Sequence, residues 1–243
     1  MTEASRDEIA TSTFNHWSTE ERPFLFQTLA LERSFRYPTL NRIAQVGSQE
    51  ALSVLTKLIA HGQKTVGTST SRLNPKTILF YHRSPRYWIR AQDTEPYFKS
   101  DTRARSIHHI RELKFENVPT ARAIGALLNS SLFFFWFLSI GNGRNLTDED
   151  VTVFPTGEMS EETAKALAGI FQRLMKDYEK HSFIRVRRDC EFQEFRVSKS
   201  KAILDEIDLV LGRHFGFTDN EIDFIQTFCM KYRLGAPDEE EDD

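Results

Sequence analysis

The most distinctive hydropathy pattern in the chain is an uncharged, mostly apolar run from Ala123 to Gly143, whose centre at 132–138 reads Leu-Phe-Phe-Phe-Trp-Phe-Leu. A run of this length also matches what a helix needs to cross a bilayer. Three polar residues at 129–131 interrupt the run, however, and Arg122 and Arg144 close it at its two ends. The pattern predicts a buried helix, which could also act as a hydrophobic post for a polar loop. A membrane span is the alternative.

Helical patterns flank this run on both sides. Before it, Ser48 can cap an amphipathic helix that stops at Gly62. After it, two stretches place apolar residues three and four positions apart, starting at Leu167 and at Ile203. The sequence Thr-Asp-Asn-Glu at 218–221 has the form of a capping box and predicts the start of a last helix.

Strand-like patterns occupy the middle of the chain. Runs rich in β-branched and aromatic residues lie at 77–81 and 87–89, separated by a turn at Ser84-Pro85, and a third run lies at 107–115. The sequence therefore predicts an α+β protein with a small mixed β domain around an aromatic-rich helix, followed by a helical C-terminal part. The predicted organisation is an N-terminal linking and helical segment at 1–69, an α+β domain at 70–156, a helical region at 157–235 and an acidic disordered tail at 236–243.

Composition supports a globular protein, since 40% of the 243 residues are hydrophobic and 28% are charged. Two cysteines, Cys190 and Cys229, allow neither a disulfide framework nor a four-cysteine zinc site, and they predict a reducing, cytoplasmic setting. The first residues show no pattern of a secretory signal.

Charge is unevenly distributed along the chain. The net charge is −3, but the last six residues are all acidic, so the remainder is positive. From His82 to Arg122 there are nine Lys or Arg residues against five Asp or Glu. Such an excess is compatible with a polyanionic partner.

Most catalytic motifs are absent: the sequence contains no dinucleotide-binding or P-loop glycine pattern, no G-x-S-x-G and no H-E-x-x-H. One alternative is a metal-dependent nuclease. Asp101, Glu112 and Lys114 have the spacing of a carboxylate followed by Glu-x-Lys, an arrangement that can hold Mg²⁺ and orient a water molecule. His108 and His109 do not improve a metal site, since adjacent residues of a strand point to opposite faces.

Arginines and aromatic residues alternate in the basic stretch. Arginine can grip a phosphate or the edge of a guanine with two hydrogen bonds. The interleaved aromatic residues could pack against the sheet or stack on an exposed base. The candidate contacts are Arg83, Arg86, Arg90, Lys99, Arg103 and Arg105.

Three local patterns in this order resemble a known family. The first is Ala-Leu-Leu-Asn-Ser-Ser at 126–131 with the aromatic run, followed by Gly-Arg-Asn-Leu at 143–146 and Phe-Pro at 154–155. The second spans 206–225, and the third is Lys-Tyr-Arg-Leu-Gly at 231–235. Over about residues 75–235 the chain resembles the C-terminal target-recognition region of N6-adenine DNA methyltransferases, including the TaqI-like specificity domain and fused restriction–methylation enzymes of phage defence.

The resemblance implies a recognition module without its catalytic half. The family's glycine-bearing S-adenosylmethionine loop and its Asn-Pro-Pro-aromatic motif are both missing, since Asn74-Pro75 continues as Lys-Thr. It implies binding to double-stranded DNA, with Arg144 and Asn145 as contacts, and no cofactor in this chain. S-adenosylmethionine would belong to a separate catalytic domain or methyltransferase chain. A scaffold subunit that does not touch DNA is a further alternative.

Overall fold

The computed structural model describes residues 9–15, 17, 19–37, 39–71, 73–85, 87–102 and 110–234. Helices and strands occur together, which confirms the predicted α+β class. The predicted acidic tail lies outside the described residues. The strands are β1 (Ala10–Thr11), β2 (Glu32–Arg33), β3 (Arg36–Tyr37), β4 (Arg42–Ile43), β5 (Thr77–His82), β6 (Ala91–Gln92), β7 (Phe98–Ser100), β8 (Ile110–Phe115), β9 (Ser182–Arg187) and β10 (Cys190–Phe195).

The described helices vary in length, from three or four residues to twenty. Two 3₁₀ helices lie among them, at Arg22–Phe24 and Val197–Ser200. The α-helices are α1 (Leu25–Thr28), α2 (Gln49–Ala60), α3 (Val66–Ser69), α4 (Val118–Asn129), α5 (Ser131–Ser139), α6 (Asp148–Thr152), α7 (Glu161–Lys180), α8 (Lys201–His214), α9 (Asp219–Thr227) and α10 (Met230–Arg233).

The strands of the described residues form small antiparallel sheets. β1 pairs with β2, and β3 pairs with β4. A middle sheet has the order β6-β5-β8, and α4 packs against it. Its register places Leu79 opposite Leu113, and both side chains are buried. A fourth sheet has the order β7-β10-β9, so strand β7 from the middle of the chain pairs with a hairpin that follows α7.

Two of the three predicted strands are present, and the third is absent. The run at 77–81 is β5, and the run at 107–115 contains β8, although residues 107–109 lie outside the described part. The predicted strand at 87–89 is wrong. Trp88 Nε1 donates to the carbonyl of Arg233 at 3.3 Å, and Arg233 Nε donates to the carbonyl of Tyr87 at 3.1 Å. These bonds with the C-terminal end replace strand pairing there.

The long apolar run forms two helices instead of one. α4 and α5 meet at Ser130 with a bend of 63°. Ser130 has extended backbone angles, and its Oγ accepts the backbone N–H of Phe133 at 2.9 Å, so it acts as the N-cap of α5. The predicted single helix is therefore corrected, because a serine inside the run caps a second helix.

The two halves of the run are buried in the core. All nine residues of α5 are buried, and Trp136 lies edge-on to Tyr37 and Phe154 with ring centroids 5.2 and 5.3 Å away. Within the described residues, no single helix is long and apolar enough to span a membrane, and α4 and α5 pass that test only together, as a bent pair. The predicted burial of the run is confirmed.

Asn129 is the polar residue at the centre of this core. Its amide donates to the carbonyls of Ala91 and Gly125, both at 2.7 Å, and its oxygen accepts from Ala91 N–H at 3.2 Å and Tyr178 Oη–H at 3.0 Å. A buried amide without partners would cost about 1–3 kcal/mol. Asn129 is therefore fully hydrogen-bonded inside the core, and it joins α4 to β6 and α7.

Two predicted helix caps are present, and the C-terminal part contains one element that was not predicted. Ser48 caps α2, and the Thr218–Glu221 capping box begins α9 as predicted. Between α7 and α8, however, the chain forms the antiparallel β9–β10 hairpin. The interpretation of 157–235 as wholly helical is corrected by this hairpin. Both cysteines are free.

Candidate nucleic-acid interface

Two loops that are distant in sequence meet at the end of the aromatic helix. One is the start of the β5–β6 connection at residues 83–85, and the other joins α5 to α6 at residues 141–147. The backbone N–H of Leu146 donates to the carbonyl of Arg83 at 2.7 Å, and the Ser84 hydroxyl donates to Asn145 Oδ1 at 2.9 Å. We call these two segments the loop pair.

The glycine turn within the loop pair is organised by Asn142. Its Oδ1 accepts the backbone N–H groups of Arg144 at 2.9 Å and Asn145 at 2.8 Å, which fixes the turn locally. Gly143 has φ +66°, as expected for the turn, but a Cβ there would lie 2.9 Å from the ring of Phe14. The space beside Gly143 is therefore occupied by Phe14.

The loop pair is anchored to the core at both ends. Leu146 is buried, and Thr147 begins α6 with a capping box. Trp136 Nε1 donates to the carbonyl of Asp150 at 3.2 Å, and Arg42 forms an ion pair with the Asp150 carboxylate. The aromatic helix therefore holds the loop through α6, in agreement with the predicted post.

Charged and polar groups beside the loop pair are already engaged. Tyr81 Oη–H donates to Asp148 Oδ1 at 2.8 Å, and burial, then this bond and the Asp148 charge, raise the pKa of Tyr81 well above its ordinary value. Arg111 lies 3.8 Å from Asp148, and Arg42 lies 3.6 Å from Glu149. The carboxylates next to the loop pair thus have cationic partners, which limits their repulsion of an approaching anion.

Three predicted contact residues come together on the loop pair. Arg144 is exposed and Arg83 is half-buried, and neither guanidinium forms a hydrogen bond or ion pair with another residue of the described chain. The oxygen of Asn145 accepts from Ser84, while its Nδ2 has no hydrogen-bond partner among the described residues. The arrangement offers two planar cations and one amide donor on a fixed frame.

The other predicted contacts lie away from the loop pair or outside the described residues. The Arg90 guanidinium lies 3.9 Å from the centroid of the Phe195 ring, on the last residue of β10. Lys99 is an exposed residue of β7, opposite Glu191 of β10. Lys99 thus belongs to the β7-β10-β9 sheet, whereas Arg90 lies just before β6 and reaches that sheet only through its side chain. Arg86, Arg103 and Arg105 lie outside the described residues.

The residues of the nuclease alternative occupy two different sheets. Lys114 and Glu112 form an ion pair of 3.5 Å on β8. Asp101 follows β7 and lines a surface depression together with Asp189 of the hairpin turn. Within the described ranges there is no group of three or more His, Cys, Asp or Glu side chains that could hold a metal ion. His108 and His109 lie outside those ranges.

Sequence reasoning missed two residues that shape the loop pair, Ser84 and Asn142. Asn142 could have been found from its position before a glycine, where an asparagine side chain commonly caps the following N–H groups. Ser84 carried no such signal, because its partner is 61 positions away. The chain matches no protein-family model, no curated protein and no solved structure.

Proposed function

We propose that this protein is a DNA target-recognition module of the N6-adenine methyltransferase type, in which the loop pair contacts duplex DNA. The observation that carries the proposal is the convergence of Arg83, Arg144 and Asn145 on one hydrogen-bonded frame, with both guanidinium groups unpaired within the described chain. The family resemblance of the aromatic helix and the turn after it supports the same assignment.

The chemistry of the three side chains suits this role. Arginine binds a phosphate or guanine O6 and N7 through two parallel N–H donors, and the asparagine amide nitrogen can donate to a base acceptor such as adenine N7. Because Ser84 occupies the Asn145 oxygen, the Nδ2 group remains as a donor to a base or phosphate. Recognition groups need a rigid support, and the anchoring of α6 by Trp136 supplies one.

Methyl transfer would take place on another domain or chain. The sequence contains neither the S-adenosylmethionine loop nor the Asn-Pro-Pro-aromatic motif. A catalytic partner would bind S-adenosylmethionine and flip the target adenine, while this module would select the site. The partners of the proposed function are therefore double-stranded DNA and a methyltransferase chain.

The test is duplex binding by fluorescence anisotropy, after selection of a preferred site from a random duplex library. The expected result is enrichment of a defined sequence and an affinity that falls with salt, with a slope near −0.9 for each neutralised phosphate. Arg83→Ala/Arg144→Ala should abolish the enrichment, whereas Lys165→Ala, an exposed lysine on α7, serves as the control. Absent or salt-independent binding would reject the proposal in favour of a scaffold role.

A further inference from the structure

The β9–β10 hairpin and the cleft at its base carry cationic groups that the loop pair does not use. From Lys180 to Lys201 there are seven Lys or Arg residues and three Asp or Glu residues. None of the hairpin strand residues is fully buried, which distinguishes this sheet from the middle sheet. This exposed element is therefore a candidate for contact with a negatively charged partner.

The tip of the hairpin carries two arginines, and Arg188 borders the surface depression between the hairpin and β7. Arg187 and Arg188 are exposed, and neither forms a hydrogen bond or ion pair with any other described residue. The neighbouring carboxylate of Asp189 is instead turned toward β7, where it accepts the hydroxyls of Ser100, at 3.5 Å, and Thr102. Asp101 and Glu191 also lie beside Arg188, and Tyr97 Oη–H donates to Glu191 Oε2 at 3.1 Å. Two of the three acidic residues at the tip are therefore engaged by hydroxyl groups, while the two arginines have no such partner among the described residues.

Arg188 also has an unusual backbone. Its φ of 56° places it in the left-handed region, which side chains other than Gly, Asn and Asp rarely adopt. Asparagine or glycine would fit this hairpin turn with less strain. The presence of an arginine despite this backbone conformation is consistent with a role for its charge at the tip.

At the base of the hairpin, basic side chains surround a cleft of about 180 Å³. None of the described residues that line it is acidic. The nearby Asp177 carboxylate accepts the Ser200 hydroxyl at 2.7 Å and lies 3.3 Å from His181 Nδ1, so it is engaged behind the cleft. The lining residues are Lys180, His181, Ser182, Phe183, Arg196 and Lys199.

Not every arginine of the hairpin is available. Arg185 forms an ion pair of 2.8 Å with Glu194 across the two strands, and this pair lies between the base and the tip. The available cations are therefore grouped at the two ends of β9. With about 3.3 Å per residue, the six residues of β9 separate these ends by about 20 Å.

We propose that the hairpin is a sequence-independent clamp on the phosphate backbone of duplex DNA. Lys180 and Lys199 would hold one phosphate at the base, and Arg187 and Arg188 would hold another at the tip. The separation of about 20 Å corresponds to roughly six base pairs along the duplex axis. This inference rests on the proposed DNA-binding function and adds a second contact to it, on the sheet that also carries Lys99.

The experiment measures affinity for a random-sequence duplex as a function of salt. Two variants each remove two charges: Lys180→Ala/Lys199→Ala at the base and Arg187→Gln/Arg188→Asn at the tip. Asparagine is chosen at 188 because it tolerates the left-handed backbone. The control is Lys76→Ala/Lys165→Ala, which removes two exposed lysines, one directly before β5 and one on α7. Circular dichroism verifies that all variants are folded.

For each hairpin variant, loss of one phosphate contact should weaken binding about eightfold at 0.1 M salt and make the salt slope less steep by about 0.9. The loss should be equal on preferred and random duplexes. If the wild type binds DNA and the hairpin variants have the affinity and salt slope of the control variant, the clamp proposal is overturned. The loop-pair proposal would then still stand. A loss confined to the preferred duplex would also overturn the clamp proposal. Failure of the wild type to bind any duplex would overturn both proposals.

Discussion

The Ser84 hydroxyl donates a hydrogen bond of 2.9 Å to the side-chain oxygen of Asn145, across a separation of 61 residues. The bond engages the oxygen of the Asn145 amide, whereas its nitrogen has no hydrogen-bond partner among the described residues. The bond also fixes the position of Arg83 relative to Arg144, since these residues are the immediate neighbours of the bonded pair. Under the proposed function, the donor that Asn145 offers to DNA therefore depends on this contact.

Arg144→Ala should weaken binding to a preferred duplex more than binding to a random duplex. The guanidinium is exposed on a fixed turn, and loss of a two-hydrogen-bond contact to a base costs about 1–3 kcal/mol of discrimination. Fluorescence anisotropy on both duplexes measures the difference, with Lys165→Ala as the control. Equal losses on the two duplexes would assign Arg144 to a phosphate contact instead.

Ser84→Ala should reduce discrimination while leaving the fold intact. The bond is at the surface, so its removal should lower the free energy of unfolding by no more than about 1 kcal/mol. Asn145 would then be free to rotate, and the preference for one sequence should fall. Ser84→Thr retains the hydroxyl and should restore it. A variant with unchanged sequence preference would show that the orientation of Asn145 is set by other contacts.

Trp136→Ala should lower the free energy of unfolding by about 3–5 kcal/mol, because it removes a fully buried large aromatic side chain. It also removes the hydrogen bond to the Asp150 carbonyl that anchors α6. Urea denaturation monitors the change. Phe26→Ala is the matched control, since that ring is 88% exposed and its loss should cost less than about 0.5 kcal/mol. A small effect at Trp136 would contradict its place in the core.

Asp208 should make stability depend on pH. Burial raises the pKa of its carboxyl to about 6, although the backbone N–H of Leu132 and the charge of Arg233 act in the opposite direction. Because the folded pKa lies above the ordinary value of 3.8, the stabilising contribution is complete below about pH 4 and is lost as pH rises through 6.

Relative to Asp208→Asn, the wild type should therefore lose on the order of 2–3 kcal/mol of unfolding free energy between pH 4 and pH 7. Parallel urea titrations across this range measure the difference. Asp223→Asn, at an exposed carboxylate of α9, is the control. A constant difference between wild type and Asp208→Asn would show that Asp208 does not titrate in this window.

Local signals in the sequence predicted much of the fold. The caps at Ser48 and Thr218 were predictable because each bonds to residues only three positions away. The bend at Ser130 was not, since a serine can also sit inside a helix without interrupting it. The β9–β10 hairpin escaped prediction because the alternating run in β9, from Ile184 to Arg187, is only four residues long and closely follows the helical pattern of α7.

The candidate site was only partly predictable for a similar reason. The glycine turn after the aromatic helix marked Arg144 and Asn145, but the bond to Ser84 depends on tertiary structure. Arg90 appeared equivalent to Arg83 in sequence, yet its guanidinium stacks on Phe195, which is 105 residues away. Composition identifies cations, whereas only packing decides which of them face solvent.

The position of Arg233 has a practical consequence for work on this chain. Its guanidinium is wedged 3.8 Å from the Trp88 ring centroid and 4.7 Å from that of Phe134, and it donates to Ser131 at 3.1 Å. Truncating the chain before Arg233 would remove these contacts. It would also remove the positive charge that acts on the buried Asp208 carboxylate. Fusion partners and reporter dyes are therefore best attached after Leu234, where the side chain is already open to water.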